Sequence, residues 1–437
     1  MGIKDKALAV GKTFRLTSHH AIERFGVFFG ALVLGGALVL SMSGASAFMA
    51  GRDTLRDTAL WTPDFTTSKT DLSGEVDGVY TNAAGNQALV MMHFDDGAQI
   101  SYNAADYQAF LLGSDERLDS EKLDTAGIEG SFHVFGSTGY VAVLLTADEP
   151  FKQQVLNLTV RANAELSLKQ QQADGQDAQE LASDETFAKY DQWRVFINPG
   201  ATGAKELSAL NGDDFKPAQV YYQIVLKPEE QQARQELNSK LLAMRTNLAQ
   251  IKAYSNDLLT TQVDGLSLRA PEVPDSIAGD QITGQSAAES KNGQSTLALQ
   301  TDTVVAGGFG FSWRNNNVYD GYLDELVPED QSYVRHLSQK TQQSSTSDDT
   351  SSGVGGMEWI LSDGSNLTTD YGASDAAMQP LINVMNNLSQ AYQDYYSNKS
   401  QYQSSLKLEL LHLDMELRDV QANSSSNSGD DFLVTFD

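Results

Sequence analysis

The sequence predicts an α+β protein: a single transmembrane helix, then an extracytoplasmic β-sandwich-like domain, then a long antiparallel helical (coiled-coil) hairpin carrying a small β-containing insert. Three observations lead there. Residues 25–51 contain no charged side chain. Residues 71–227 carry short apolar or alternating runs punctuated by Gly, Asn and Asp. From Pro228 the apolar spacing changes to alternating steps of four and three.

The uncharged stretch is long enough to cross a ~30 Å hydrocarbon core as a helix. Its N-terminal flank holds Lys4, Lys6, Lys12, Arg15 and Arg24 against Asp5 and Glu23, so the positive-inside rule places 1–24 in the cytoplasm and the rest outside the cell membrane. Gly30, Gly35 and Gly36 are small enough for close helix packing in a bilayer. A second reading stays open: Ala45-Ser46-Ala47 fits a signal-peptidase site, and cleavage after Ala47 would leave a secreted chain beginning at Phe48.

Residues 52–70, polar and Thr-rich with Pro63, read as a stalk. In 71–227 the clearest strands are 88–94, 131–135, 140–145, 155–161, 193–197 and 220–227, separated by turns such as Asp95-Asp96-Gly97 and Asn198-Pro199-Gly200. Short strands with Gly-rich turns predict a sandwich of about immunoglobulin size, with 170–185 as an exposed loop. Pro228 followed by Glu229 and Glu230 opens the first helix, 228–263. Its association seam is Leu237, Leu241, Met244, Leu248, Ile251 and Leu258. The second helix, 380–422, carries Leu381, Met385, Leu388, Leu406 and Leu413 on its seam, with Lys399 also at a seam position, and one extra step of four after Leu406 predicts an interrupted or bent coiled coil. Between them, 264–379 is partly disordered by composition, with Ser/Gly/Gln/Asp-rich flanks at 278–295 and 338–356 around a small β unit at 297–337. The tail 423–437 is flexible, although 432–436 is apolar enough to add a strand to a sheet.

Composition narrows the chemistry. The 437 residues include no Cys, which removes disulfides, Cys-ligated metals and a thiol nucleophile. With 58 Asp+Glu against 30 Lys+Arg the net charge is −28, and no basic patch offsets it, so nucleic acid is not an expected partner. The histidines downstream of the apolar segment, His93, His133, His336 and His412, lack metal-ligand spacing. No G-x-S-x-G elbow occurs, and Ser404-x-x-Lys407 stands without its companion motifs. No catalytic residue, metal site or cofactor is therefore expected. Tyr392, Tyr395, Tyr396 and Tyr402 make a possible partner patch on the second helix. The layout predicts a non-enzymatic, membrane-anchored scaffold of a bacterial cell-envelope machine, of the conjugation, secretion or pilus type, whose partners are the membrane and other envelope proteins or further copies of itself. The alternative is a cell-surface adhesin that recognises protein or carbohydrate through residues such as Trp313.

Overall fold

The computed structural model describes residues 54–162, 190–285, 298–300, 317–321, 357–371, 376–405, 409–429 and 432–436, less positions 96, 99, 213 and 274–276, with a few further positions between 291 and 339. The chain divides into two compact units. One holds the described residues up to Phe132, Val141–Ser208 and Asn427 onward; the other holds His133–Tyr140 and Ala209–Ser426.

The first unit is built from strands. They are β1 (Asp64–Thr66), β2 (Ser73–Thr81), β3 (Gln87–Phe94), β4 (Tyr107–Ser114), β5 (Ser120–Glu121), β6 (Glu129–Val134), β7 (Tyr140–Thr146), β8 (Val155–Ala162), β9 (Gln192–Ile197) and β10 (Lys205–Glu206). One sheet runs β1-β2-β3-β7-β6 and then β15 (Ser425–Asn427), with β10 beside β2. The other runs from β16 (Leu433–Phe436) through β4 and β8 to β9, with β5 beside β4. Period-two patterning sets the inner face of the second sheet: Tyr107, Ala109, Leu111, Leu158, Val160, Trp193 and Val195 are all buried. Aromatic rings join the two sheets, with Phe65 stacked on Trp193 at 5.6 Å, Phe94 edge-on to Trp193 at 5.5 Å and Tyr107 stacked on Phe132 at 4.4 Å. β3 is buried on both faces, since Ala88, Leu89, Val90, Met91 and Met92 are fully inaccessible. That explains its continuous apolar run.

Three expectations change here. The stalk is part of the sheet, because Phe65 is buried and β1 pairs with β2. The tail, expected to be flexible, forms β15, while the strand anticipated at 432–436 is present as β16, parallel to β4 with Leu433 opposite Ala109. The strand expected at 220–227 is helical: α1 (Pro217–Tyr221) continues through a π-turn (Tyr222–Leu226) into α2 (Lys227–Thr260). Pro217 at the first turn starts that helix, and the wide π-turn shifts the buried face from Val220 and Tyr221 to Leu226. The resulting apolar spacing imitates a strand.

The second unit adds β11 (Gln262–Val263), β12 (Leu266–Ser267), β13 (Gln281–Thr283), β14 (Ala298–Gln300), α3 (Leu367–Asp370), α4 (Gln379–Ser405) and α5 (Leu411–Asn423). The coiled-coil hairpin is overturned. Among the described residues there is one long helical run, the 44 residues of α1, the π-turn and α2. Of the expected second rod the structure describes α4 and α5, and residues 406–408 lie outside the described residues. Where α4 lies beside α2 the contact is pinned by polar groups, with Asn398 Nδ2 donating to Asn247 Oδ1 at 3.0 Å and Lys240 donating to Gln401. The stretch read as low-complexity supplies β13, which pairs with β14.

The membrane assignment is also corrected. Among the described residues no helix is long and apolar enough to cross a membrane. The longest, α2, carries Lys240, Arg245, Lys252 and Asp257 along its length, and burying such charges in hydrocarbon is costly. The segment 25–51 with Gly30, Gly35 and Gly36 lies outside the described residues. The single-pass topology and the cell-membrane localisation built on it are set aside, as is the secreted alternative.

Candidate functional site

The chemistry-bearing side chains of the helical unit fall into three groups. The first sits at the start of α2. Glu230 follows the π-turn inside the continuous helical run, and it is buried. It accepts from Arg234 Nη2 at 2.7 Å, Arg234 Nε at 2.9 Å, Tyr222 OH at 2.9 Å and the backbone N–H of Val318 at 3.2 Å. Four donors satisfy a carboxylate that burial would otherwise penalise.

The second group is a buried ion pair. Lys399 Nζ donates to Asp280 Oδ2 at 2.5 Å, with side chains 3% and 0% exposed. Tyr395 OH donates to the same oxygen at 3.1 Å. Burial and the neighbouring carboxylate push the Tyr395 phenol far above its ordinary value.

The third group lines a groove of about 320 Å³. α2 contributes Glu229, Gln232 and Glu236; Glu409, His412 and Leu413 face them, and Ala233 and Leu413 form the buried floor. Burial lifts the Glu229 carboxyl, the charge of Glu416 adds to the lift, and His412 opposes it. Tyr221 OH donates to Glu416 at 2.5 Å, and burial followed by the Glu416 charge raises that phenol as well. The groove can exchange a proton at Glu229 and attract cationic groups. It holds no Ser, Thr or Lys among its lining residues to act as a nucleophile. Among the described residues no group of three His, Asp or Glu is disposed to hold a metal.

The predicted association residues are placed as follows. Leu237, Leu241, Met244, Leu258, Leu381, Leu388 and Leu413 are buried, while Leu248, Ile251 and Met385 are half-buried. Leu406 lies outside the described residues. In the tyrosine patch Tyr392, Tyr395 and Tyr402 are buried and Tyr396 is half-exposed, so most of its area is turned inward. The candidate histidines stay apart: His93 Nδ1 lies 3.1 Å from Asp77 Oδ2, and His133 packs on Phe215 at 4.0 Å. Trp313 lies outside the described residues. Lys399 at a seam position was a signal that a carboxylate must be near, but its partner is 119 residues away in a Gly/Gln/Ser-rich stretch without pattern. Glu230 was read as a helix-start acid rather than a buried hub. No protein-family model matches the chain, and neither a curated protein nor a solved structure matches it.

Proposed function

We propose that the chain is a non-enzymatic assembly component that holds other protein chains through its helical unit. The supporting observation is how that unit uses its buried charge. Glu230 ties α2 to Val318, and Lys399 ties α4 to Asp280, so the ionic groups join remote segments into one body. The exposed acids Glu229 and Glu236, over the apolar floor of Ala233 and Leu413, suit a partner that offers basic side chains around an apolar contact.

Gentle purification of the tagged full chain from its source, with mass and stoichiometry measured, tests this. A complex heavier than the 47.5 kDa chain, containing a second protein at fixed ratio and losing it on Glu229→Lys with Glu236→Lys, is expected. Recovery of the 47.5 kDa chain alone, or of a hydrolytic activity abolished by Glu229→Gln, would overturn the reading.

A further inference from the structure

Strand β16 sits in the first unit as a bound peptide would. Among the described residues it pairs with β4 alone, in parallel, with Leu433 opposite Ala109 and Phe436 opposite Leu112. A shaped slot receives it. The Ala109 N–H donates to the Phe432 carbonyl at 2.8 Å, and the buried Phe432 ring lies 6.1 Å from that of Phe132. Gly130 makes the space for Leu433, since a Cβ there would stand 2.9 Å from Leu433 Cδ2. Just upstream, Asn427 Nδ2 donates to the Tyr107 carbonyl at 3.2 Å and marks where the segment reaches β4.

This is the geometry by which proteins take up an added strand: main-chain bonds supply affinity, and side-chain pockets choose the sequence. Here the pockets ask for an aromatic ring followed by Leu. The present occupant is lightly held for a strand. It is four residues long, parallel pairing is slightly weaker per residue than antiparallel, and Thr435 and Phe436 are exposed. Ser428-Gly429-Asp430-Asp431, which lead into it, offer no apolar side chain to anchor the segment. Elements with few buried apolar contacts open at a lower free energy than the whole fold.

We infer that the slot formed by β4, Gly130 and Phe132 is a binding site for an extended peptide carrying an aromatic residue followed by Leu, occupied in cis by residues 432–436 and able to take such a strand from a partner protein in its place. The segment already there shows what the site accepts. An incoming strand of the same pattern remakes each main-chain bond and each pocket contact, so the exchange turns on concentration rather than on new chemistry. A tethered segment competes at a high effective concentration. A foreign strand therefore binds well only where the grip of β16 is weakened.

The test uses a fluorescently labelled synthetic peptide with the sequence of residues 430–437, titrated against the full chain and followed by anisotropy. Leu433→Asp in the full chain should loosen β16 and raise the affinity for the peptide by about tenfold or more over the unmodified chain. A peptide carrying Leu433→Asp should not bind, and Gly130→Leu added to the Leu433→Asp chain should abolish binding by filling the space that Leu433 needs. A folded Leu433→Asp chain that takes the peptide no better than the unmodified one overturns the inference. So does a Leu433→Asp chain whose circular dichroism is that of an unfolded protein, since β16 would then be an integral strand. Hydrogen exchange on the unmodified chain needs no variant. The Ala109 amide, bonded to Phe432, should be protected about a hundredfold less than that of Leu158, which lies on β8 between β4 and β9. Equal protection of the two would mean that β16 leaves only when the whole fold opens, and overturns the inference as well. None of these outcomes touches the proposed hetero-assembly, which is read from partner stoichiometry and the Glu229 and Glu236 variants.

Discussion

A lysine enclosed by protein requires a carboxylate, and Lys399 obtains Asp280 from a segment whose sequence offers little apolar content of its own. Removing one member takes a hydrogen-bonded opposite charge from the other where almost no solvent reaches. Asp280→Asn or Lys399→Met should therefore each destabilise the chain by about 3–5 kcal/mol in urea titration. The double replacement Asp280→Leu with Lys399→Met should cost clearly less than the sum of the two. Equal, additive losses would show that the pair is not coupled. Glu229 behaves in the opposite sense. Its folded-state carboxyl is raised, by burial and by Glu416, so ionisation opposes folding above the ordinary carboxylate range. Glu229→Gln should stabilise the chain at pH 7. Because the residue is exposed, solvent screening limits the gain to about 0.5 kcal/mol or less.

At the scale of elements, the tip of the β6–β7 hairpin shows how one backbone position sets a contact. Gly136 adopts φ +57°, and a Cβ there would lie 2.4 Å from an Asp419 carboxylate oxygen. The same carboxylate accepts from Ser137 N–H at 2.5 Å and Ser137 Oγ at 2.8 Å. Burial raises the Asp419 pKa, but these bonds and one from Asn423 outweigh it, and the net direction is downward. Gly136→Ala should lower stability by at least about 1 kcal/mol through the left-handed backbone alone. A shifted Asp419 and a less acid-resistant hairpin contact should accompany it, read from the carboxyl carbon resonance on titration. Ser137→Ala should lose the hydroxyl bond while keeping the backbone one. Strands β3, β6, β7, β8 and β9 were legible because each shows an apolar run or alternation bounded by turn residues. β2 was not, since its register shifts between Val76 and Gly78 and breaks the alternation. The π-turn hid a helix for the corresponding reason in the other period. Of the site, the acids at the start of α2 were visible as helix-start residues. The burial of Glu230 was not, because it depends on Val318, far away in sequence.

For the whole molecule, acidity and one buried imidazole pull stability in opposite directions as pH falls. Protonating carboxylates relieves the self-repulsion of a chain at −28. His133 resists: burial lowers its pKa to about 4 from the ordinary 6.5. A depressed pKa means that the unfolded state binds the proton first. The neutral ring's contribution is complete above pH 6.5 and is lost as pH falls toward about 4. Between pH 7 and pH 4.5 that loss should reach about 2–3 kcal/mol. His133→Gln removes the titration, although the lost packing on Phe215 will lower stability at every pH. The informative quantity is thus the change with pH. The variant should lose about 2–3 kcal/mol less than the unmodified chain between pH 7 and pH 4.5, measured by urea unfolding at both values. Parallel pH profiles for the two chains would mean that His133 is hydrated enough to titrate normally, and that acid acts on this protein through its carboxylates alone.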